Sequence, residues 1–96
     1  MPDESNSKPG YVLRLYITGA SVNSAKAISN IKRICEEHLK DAYQLEVIDV
    51  YQQPVLAKQE QIVALPLLVK SFPLPVKRLV GNMSDTDKVL KGLELA

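Results

Sequence analysis

Two apolar strand patterns on either side of a long helical pattern constrain the fold of this chain most strongly. Residues 11–17 read YVLRLYI, a run interrupted only by Arg14, and such runs are typical of a central strand covered on both faces. Over residues 27–39 apolar side chains recur close to every 3.6 positions, which predicts an amphipathic helix. A second strand is predicted over residues 45–50. A strand–helix–strand unit joins parallel strands by a right-handed crossover, so we expect an α/β fold with a βαβ core in residues 11–50.

The patterns in the second half of the chain are shorter. Pro54 suits the first turn of a short amphipathic helix. Residues 67–70 and 76–80 are predicted to be strands, separated by a segment whose two prolines exclude the interior of a regular helix. These elements do not by themselves fix how the second half pairs with the first.

The last predicted helix contains a conflict. Ser84 is the expected N-cap of a helix that runs toward Leu95. Gly92 is predicted to lie inside it, at a cost of about 0.5–1 kcal/mol relative to alanine, while residues 93–95 alternate as a strand does. Local propensity and periodicity therefore favour two packings of similar energy, and replacing Gly92 with alanine is expected to favour the helical one.

Composition restricts the class of protein. The chain has 96 residues, 46% of them hydrophobic and 24% charged, with a net charge of +1. We expect a polar N-terminal tail (residues 1–10) and one folded domain (residues 11–96). The charge balance argues against a dedicated nucleic-acid binder. The sequence contains no apolar run near the roughly 20 residues needed to span a bilayer, and a single cysteine indicates a reducing compartment, so we expect a cytoplasmic protein without a membrane anchor.

The turn after the first strand and a later proline match the outline of the thioredoxin fold. Redox members of that fold carry C-x-x-C where the first helix begins, but residues 19–24 read GASVNS. Ser21 and Ser24 cannot exchange disulfides and are better interpreted as helix-capping residues. In thioredoxin-like folds the proline before the third strand, here Pro66, is typically cis and faces a partner-binding groove. With one histidine, His38, neither a metal site nor a cofactor site is predicted.

A stretch without acidic residues is the strongest indication of a binding surface. Between Gln61 and Ser84 there is no aspartate or glutamate, whereas Lys70, Lys77 and Arg78 are present. A local positive surface favours docking on an acidic partner. An ordinary solvated surface explains the same three charges equally well.

Several segments of the chain together resemble the KaiB family of circadian-clock proteins. They are YVLRLYITG, LEVIDVYQQPVLA, ALPL, PLPVKR and GNMSD, which occur in this order between about residues 11 and 95. The resemblance implies a non-enzymatic, metamorphic protein whose second half adopts either a thioredoxin-like arrangement (βαβαββα) or the KaiB ground-state arrangement (βαββααβ). The ground state is expected to be a homo-oligomer, tetrameric or dimeric.

The resemblance also implies partners and site residues. The expected partner is a KaiC-like ATPase whose phosphorylation state the protein modulates, with KaiA or a SasA-type kinase as a further partner or competitor. Lys70 and Lys77, followed by Arg78, match basic positions that the family uses against KaiC. Gly92 and Glu94, with Pro66, are assigned to fold switching. The alternative is a permanently thioredoxin-like adaptor similar to the SasA sensing domain.

Overall fold

The computed structural model describes residues 10–62 and 64–95, so the predicted tail before Gly10 and the terminal Ala96 lie outside it. The described residues form four strands and three helices. Their bounds are β1 Tyr11–Ile17, α1 Val22–His38, β2 Tyr43–Asp49, α2 Pro54–Glu60, β3 Leu67–Phe72, β4 Lys77–Val80 and α3 Thr86–Gly92. The predicted elements are confirmed in type and order. Their ends differ by a few residues, because pairing across the sheet extends β2 back to Tyr43 and β3 forward to Phe72.

The strands form one mixed sheet in the order β2-β1-β3-β4. Strand β1 pairs parallel with β2, as the βαβ pattern predicts, and antiparallel with β3. Strand β4 adds antiparallel to β3 and forms the sheet edge. The second half therefore has the thioredoxin-like arrangement, one of the two that the sequence left open.

Both faces of the sheet are covered. One face packs against α1 and α3, in a core that includes Leu13, Leu15, Ile31, Leu68 and Leu93. The other face packs against α2 in a smaller core formed by Tyr16, Ile48, Leu67 and Val69, with Leu56 and Ile62 against it. Adjacent residues of β1 and β3 enter different cores, because successive side chains of a strand point to opposite faces.

Helix α3 differs from its prediction at both ends. Its N-cap is Asp85, whose carboxylate accepts a hydrogen bond from the Lys88 N–H at 3.2 Å, and not Ser84. Gly92 is the last helical residue and does not lie in the interior. A Cβ at position 92 would lie 2.9 Å from Leu79 Cγ and closer still to both methyl carbons of that side chain. The glycine thus permits close approach of α3 to β4, a tertiary contact that helix propensity does not predict.

A double-mutant cycle between positions 92 and 79 tests this contact. We compare the change in the free energy of unfolding that Gly92→Ala causes in two backgrounds. We expect this change to be about 1–2 kcal/mol more stabilising in the Leu79→Ala protein than in the wild-type protein, because the truncated side chain leaves room for the new methyl group. Urea unfolding of the four proteins measures the coupling. Additive effects would contradict the close packing.

Candidate partner-binding site

The turn after β1 is held by the two serines that stand in place of cysteines. The Ser21 hydroxyl accepts a hydrogen bond from the Ser24 N–H at 3.1 Å and donates one to Ser24 Oγ at 2.8 Å. Ser24 is 1% exposed, and its Oγ also accepts the Thr18 N–H at 3.2 Å. Ser21 is the N-cap of α1, which agrees with the predicted capping role, and Ser24 ties the first turn of the helix to the end of β1. The turn contains no thiol that could attack a disulfide.

Pro66 lies at the same end of the sheet as this turn. The Leu65–Pro66 bond is cis, as expected for a thioredoxin-like proline. Pro66 directly precedes β3, which starts opposite the end of β1, and its carbonyl accepts the Gly81 N–H at 2.9 Å. The proline side chain is buried. This arrangement gives Pro66 a role in joining β3 to the end of β4.

The three basic residues singled out in the sequence do not share one face of the sheet. Lys70 and Lys77 are directly opposed across β3 and β4, whereas Arg78 opposes Val69, which belongs to the core on the α2 side. Because side chains alternate along a strand, Lys77 points to the α3 side and Arg78 to the α2 side. The single surface expected from sequence spacing is therefore divided by β4.

Lys70 and Lys77 both form ion pairs with the carboxylate of Glu94. The Lys70 Nζ lies 3.6 Å from Glu94 Oε1, and the Lys77 Nζ lies 3.8 Å from Glu94 Oε2. Lys70 is 0% exposed, and its Nζ is 5.8 Å from the centre of the Tyr11 ring. Burial and the nearby Glu94 raise the pKa of Tyr11. Lys70 is consequently not accessible to a partner in this arrangement, whereas Lys77 is partly exposed.

Arg78 is engaged on the other side of β4. Its guanidinium donates to Glu60 Oε2 at 2.7 Å and to the Glu60 carbonyl at 3.0 Å. Glu60 is the last residue of α2, so the arginine satisfies both a side chain and a free carbonyl at the helix end. The Arg78 side chain remains 40% exposed, which leaves part of it available to a partner.

Glu94 occupies a backbone conformation that usually favours glycine or asparagine. Its φ is 61°, and it follows the C-cap Leu93. The Glu94 N–H donates to the Lys91 carbonyl and the Leu95 N–H to the Leu90 carbonyl, which is the hydrogen-bond pattern of a Schellman motif. A side chain in this conformation costs about 1 kcal/mol or more, so contacts of the glutamate hold it there.

The end of β3 and the segment that follows it present apolar side chains to solvent. Phe72, Leu74 and Val76 are 50%, 73% and 53% exposed, and Val80 at the far end of β4 is 53% exposed. The Phe72–Pro73 and Leu74–Pro75 bonds are both cis. The prolines of this segment predicted only a break in regular structure. Its apolar residues between prolines were the available signal of an exposed surface.

Cys35 and His38 were the other residues whose side chains could carry chemistry. Burial in the core raises the pKa of the Cys35 thiol to about 11, which disfavours the reactive thiolate. His38 is the last residue of α1 and is exposed. Within residues 10–62 and 64–95, no cluster of three or more histidine, cysteine, aspartate or glutamate side chains is arranged to hold a metal ion.

Fold and site together define a class: a thioredoxin-like protein with a serine pair in place of the redox cysteines and a basic edge strand. Comparison with known proteins identifies the family. A profile of the KaiB domain matches residues 14–95, and the chain belongs to the KaiB family.

Relatives with similar sequences are clock proteins. The circadian clock protein KaiB3 of Synechocystis sp. is 55% identical over 84 residues, which cover 88% of this chain and 82% of the relative. The circadian clock oscillator protein KaiB of Synechococcus elongatus is 46% identical over 85 residues, covering 88% and 83% of the two chains. The family resemblance inferred from the sequence is thereby confirmed.

Solved structures with a similar fold include a clock domain and thioredoxins. The N-terminal domain of Synechococcus elongatus SasA matches with a TM-score of 0.73 and 23% identity over 100% of this chain and 93% of that one. The Drosophila thioredoxin Deadhead matches with a TM-score of 0.73 and 12% identity over 94% and 84% of the two chains. At these identities the match establishes the thioredoxin-like fold alone.

Among the described residues, none of the helices combines the length and apolar character needed to cross a bilayer.

Removing the Ser24 hydroxyl should weaken the fold at the turn that holds α1. We expect Ser24→Ala to lower the free energy of unfolding by about 1–2 kcal/mol, because the partly buried Thr18 N–H loses its acceptor. Ser29→Ala, at an exposed position within the same helix, is the control and should be neutral or slightly stabilising. Urea denaturation followed by circular dichroism measures both. Equal effects of the two substitutions would contradict the structural role of Ser24.

Proposed function

We propose that this protein is a KaiB-type regulator that binds a KaiC-like ATPase ring and modulates its phosphorylation state in a circadian clock or a clock-related stress response. The observation that carries the proposal is an exposed edge strand, β4, with a basic side chain on each side, in a member of the KaiB family. We infer a non-enzymatic role, because the serine pair replaces the thiols of the redox fold.

Strand β4 has free backbone groups for docking. The Gly81 N–H binds the Pro66 carbonyl, and hydrogen-bonded and non-hydrogen-bonded pairs alternate along an antiparallel ladder. The backbone groups of Arg78 and Val80 therefore point away from β3. A partner segment that lies along this edge can pair with them while it contacts Lys77 on one side and Arg78 on the other.

The second half of the chain is where we propose fold switching. The thioredoxin-like arrangement described above corresponds to the form expected to bind the ATPase. We propose that it exchanges with a self-associated ground state, a tetramer or dimer, in which the segment around Gly92 and Glu94 pairs as a strand and Pro66 lies at the boundary of the rearranged half. A partner that binds one form only shifts the population toward it. KaiA or a SasA-type kinase would compete for or join the complex, in the cytoplasm.

A permanently thioredoxin-like adaptor is the second candidate. The specific observation in its favour is the arrangement itself, which matches the SasA N-terminal domain over the whole chain. In this case the protein would stay monomeric and would not exchange with a second fold. The oligomeric state in solution distinguishes the two candidates, because only the switching protein forms a tetramer or dimer.

Binding to a KaiC-like ATPase in the presence of ATP tests the proposal. We expect the two wild-type proteins to co-purify. We expect Lys77→Gln and Arg78→Gln each to weaken binding about tenfold, equivalent to about 1.4 kcal/mol, because each substitution removes a positive charge on one side of β4. Lys26→Gln is the control, since Lys26 is an exposed residue near the start of α1, at the opposite end of the sheet from Lys77.

The outcomes separate the alternatives. No binding of the wild-type protein to any KaiC-like ATPase of the same cell would refute the proposal. Loss of affinity in only one of the two β4 variants would restrict the interface to one side of the sheet. Turnover in an insulin-reduction assay would overturn the non-enzymatic assignment.

A further inference from the structure

Glu94 is held in a site with the chemistry of a carboxylate receptor. Two lysine ammonium groups approach different oxygens of the carboxylate, at 3.6 Å from Lys70 and 3.8 Å from Lys77. The side chain of Lys70 is 0% exposed, whereas that of Glu94 is 47% exposed. The buried cation therefore lies directly beneath a carboxylate that solvent reaches. Removal of that carboxylate would open Lys70 to the surface.

The contacts within this site are incomplete. Both distances exceed those of charge-assisted hydrogen bonds, and the Lys70 Nζ has no hydrogen-bond partner among the described residues. An ammonium group carries three donors, and a buried unpaired donor is costly. The Lys70 ammonium group therefore lacks a hydrogen-bond acceptor in the described part of the chain, because Glu94 lies too far away to accept from it.

The backbone of Glu94 limits the directions from which its carboxylate can approach the two lysines. The residue is in the left-handed region, with φ of 61°, and the preceding carbonyl, that of Leu93, is fixed by a 3.0 Å hydrogen bond from the Tyr11 hydroxyl. The carboxylate is consequently attached to a backbone that the Tyr11 hydrogen bond and the turn at the end of α3 hold in place. A carboxylate from another chain has no such constraint and can approach both ammonium groups at hydrogen-bond distance.

We propose that Lys70, Lys77 and the Tyr11 ring form a carboxylate-binding site that Glu94 occupies within the chain and that an aspartate or glutamate of an acidic partner segment occupies in exchange. Glu94 is then an internal competitor that lowers the affinity for the partner. The proposal deepens the proposed function and rests on it for the identity of the partner. It assigns Lys70 to the interface, although the lysine is buried in the free chain.

Binding of a short acidic peptide tests the site without any clock protein. The probe is a fluorescein-labelled octapeptide of alternating glutamate and glycine, and the measurement is fluorescence anisotropy at low salt. We expect Glu94→Gln to raise the affinity at least fivefold. Glu46→Gln is the matched control, because it removes the same charge from a glutamate that is 48% exposed and paired with Arg14 on the α2 side. The control should change the affinity less than twofold.

A second substitution identifies the cation. Adding Lys70→Met to the Glu94→Gln variant should return the affinity to the wild-type value or below. Equal gains in the two glutamine variants would show an effect of net charge alone and would overturn the proposal. Retention of the gain without Lys70 would overturn it as well.

The test remains decisive if Glu94→Gln disturbs folding. Glu94→Gly takes the left-handed conformation without strain and removes the same carboxylate, so it should show the same gain in affinity. In the wild-type protein, NMR titration with the octapeptide should shift the Lys70 and Lys77 side-chain signals and leave those of Lys26 unchanged. Unshifted Lys70 signals would refute the site. Because the ATPase is absent from these measurements, failure here leaves the proposed function standing, and failure to bind the ATPase leaves this site standing.

Discussion

The burial of β1 on both of its faces is the constraint on which the rest of the structure depends. Leu13 and Leu15 are 0% exposed on one face, and Tyr16 is 1% exposed on the other. A strand of this kind needs neighbours on both edges and a layer on each face. The parallel partner β2 requires the crossover helix α1, and β3 closes the other edge. Helix α2 then covers the second face. Strand β4 pairs with β3 and forms the outer strand of the sheet, with a free edge.

The first half of the fold could be predicted because its signals are local and long. The strand of seven residues is apolar except for Arg14, and the helix of 17 residues repeats its period often enough to define a buried face. In the second half the order of elements was predictable, but their pairing was not. Residues 67–72 contain no local feature that selects an antiparallel position beside β1, and the role of Gly92 depends on Leu79, which is distant in sequence. Pairing of this kind is decided by tertiary contacts rather than by propensity.

The candidate site shows the same division between local and non-local information. Spacing alone found Lys70, Lys77 and Arg78, but a stretch of sequence without acidic residues does not fold into a surface without them. Glu60 and Glu94 approach from opposite sides of β4 and leave the group of five side chains with a net charge of about +1. The alternation of side chains along a strand is by itself sufficient to place Lys77 and Arg78 on opposite faces of the sheet. The burial of Lys70 was not predictable in this way, because α3 and its end provide the cover.

Position 94, just after α3, is subject to two requirements, one from its backbone conformation and one from the charge of Lys70, and no single residue type satisfies both. The left-handed backbone at position 94 favours glycine, whereas the buried Lys70 beneath it requires an anion. Glutamate supplies the negative charge, at 3.6 Å from Lys70 and in an unfavourable backbone conformation. A half-exposed carboxylate is also screened by salt and accessible to competitors. Position 92 also restricts the residue type, since only glycine lets the helix approach Leu79 without displacing the leucine side chain. The C-terminal turn is therefore held by a few specific contacts rather than by local preference, and a change in any one of them acts directly on how firmly this half of the protein stays in place.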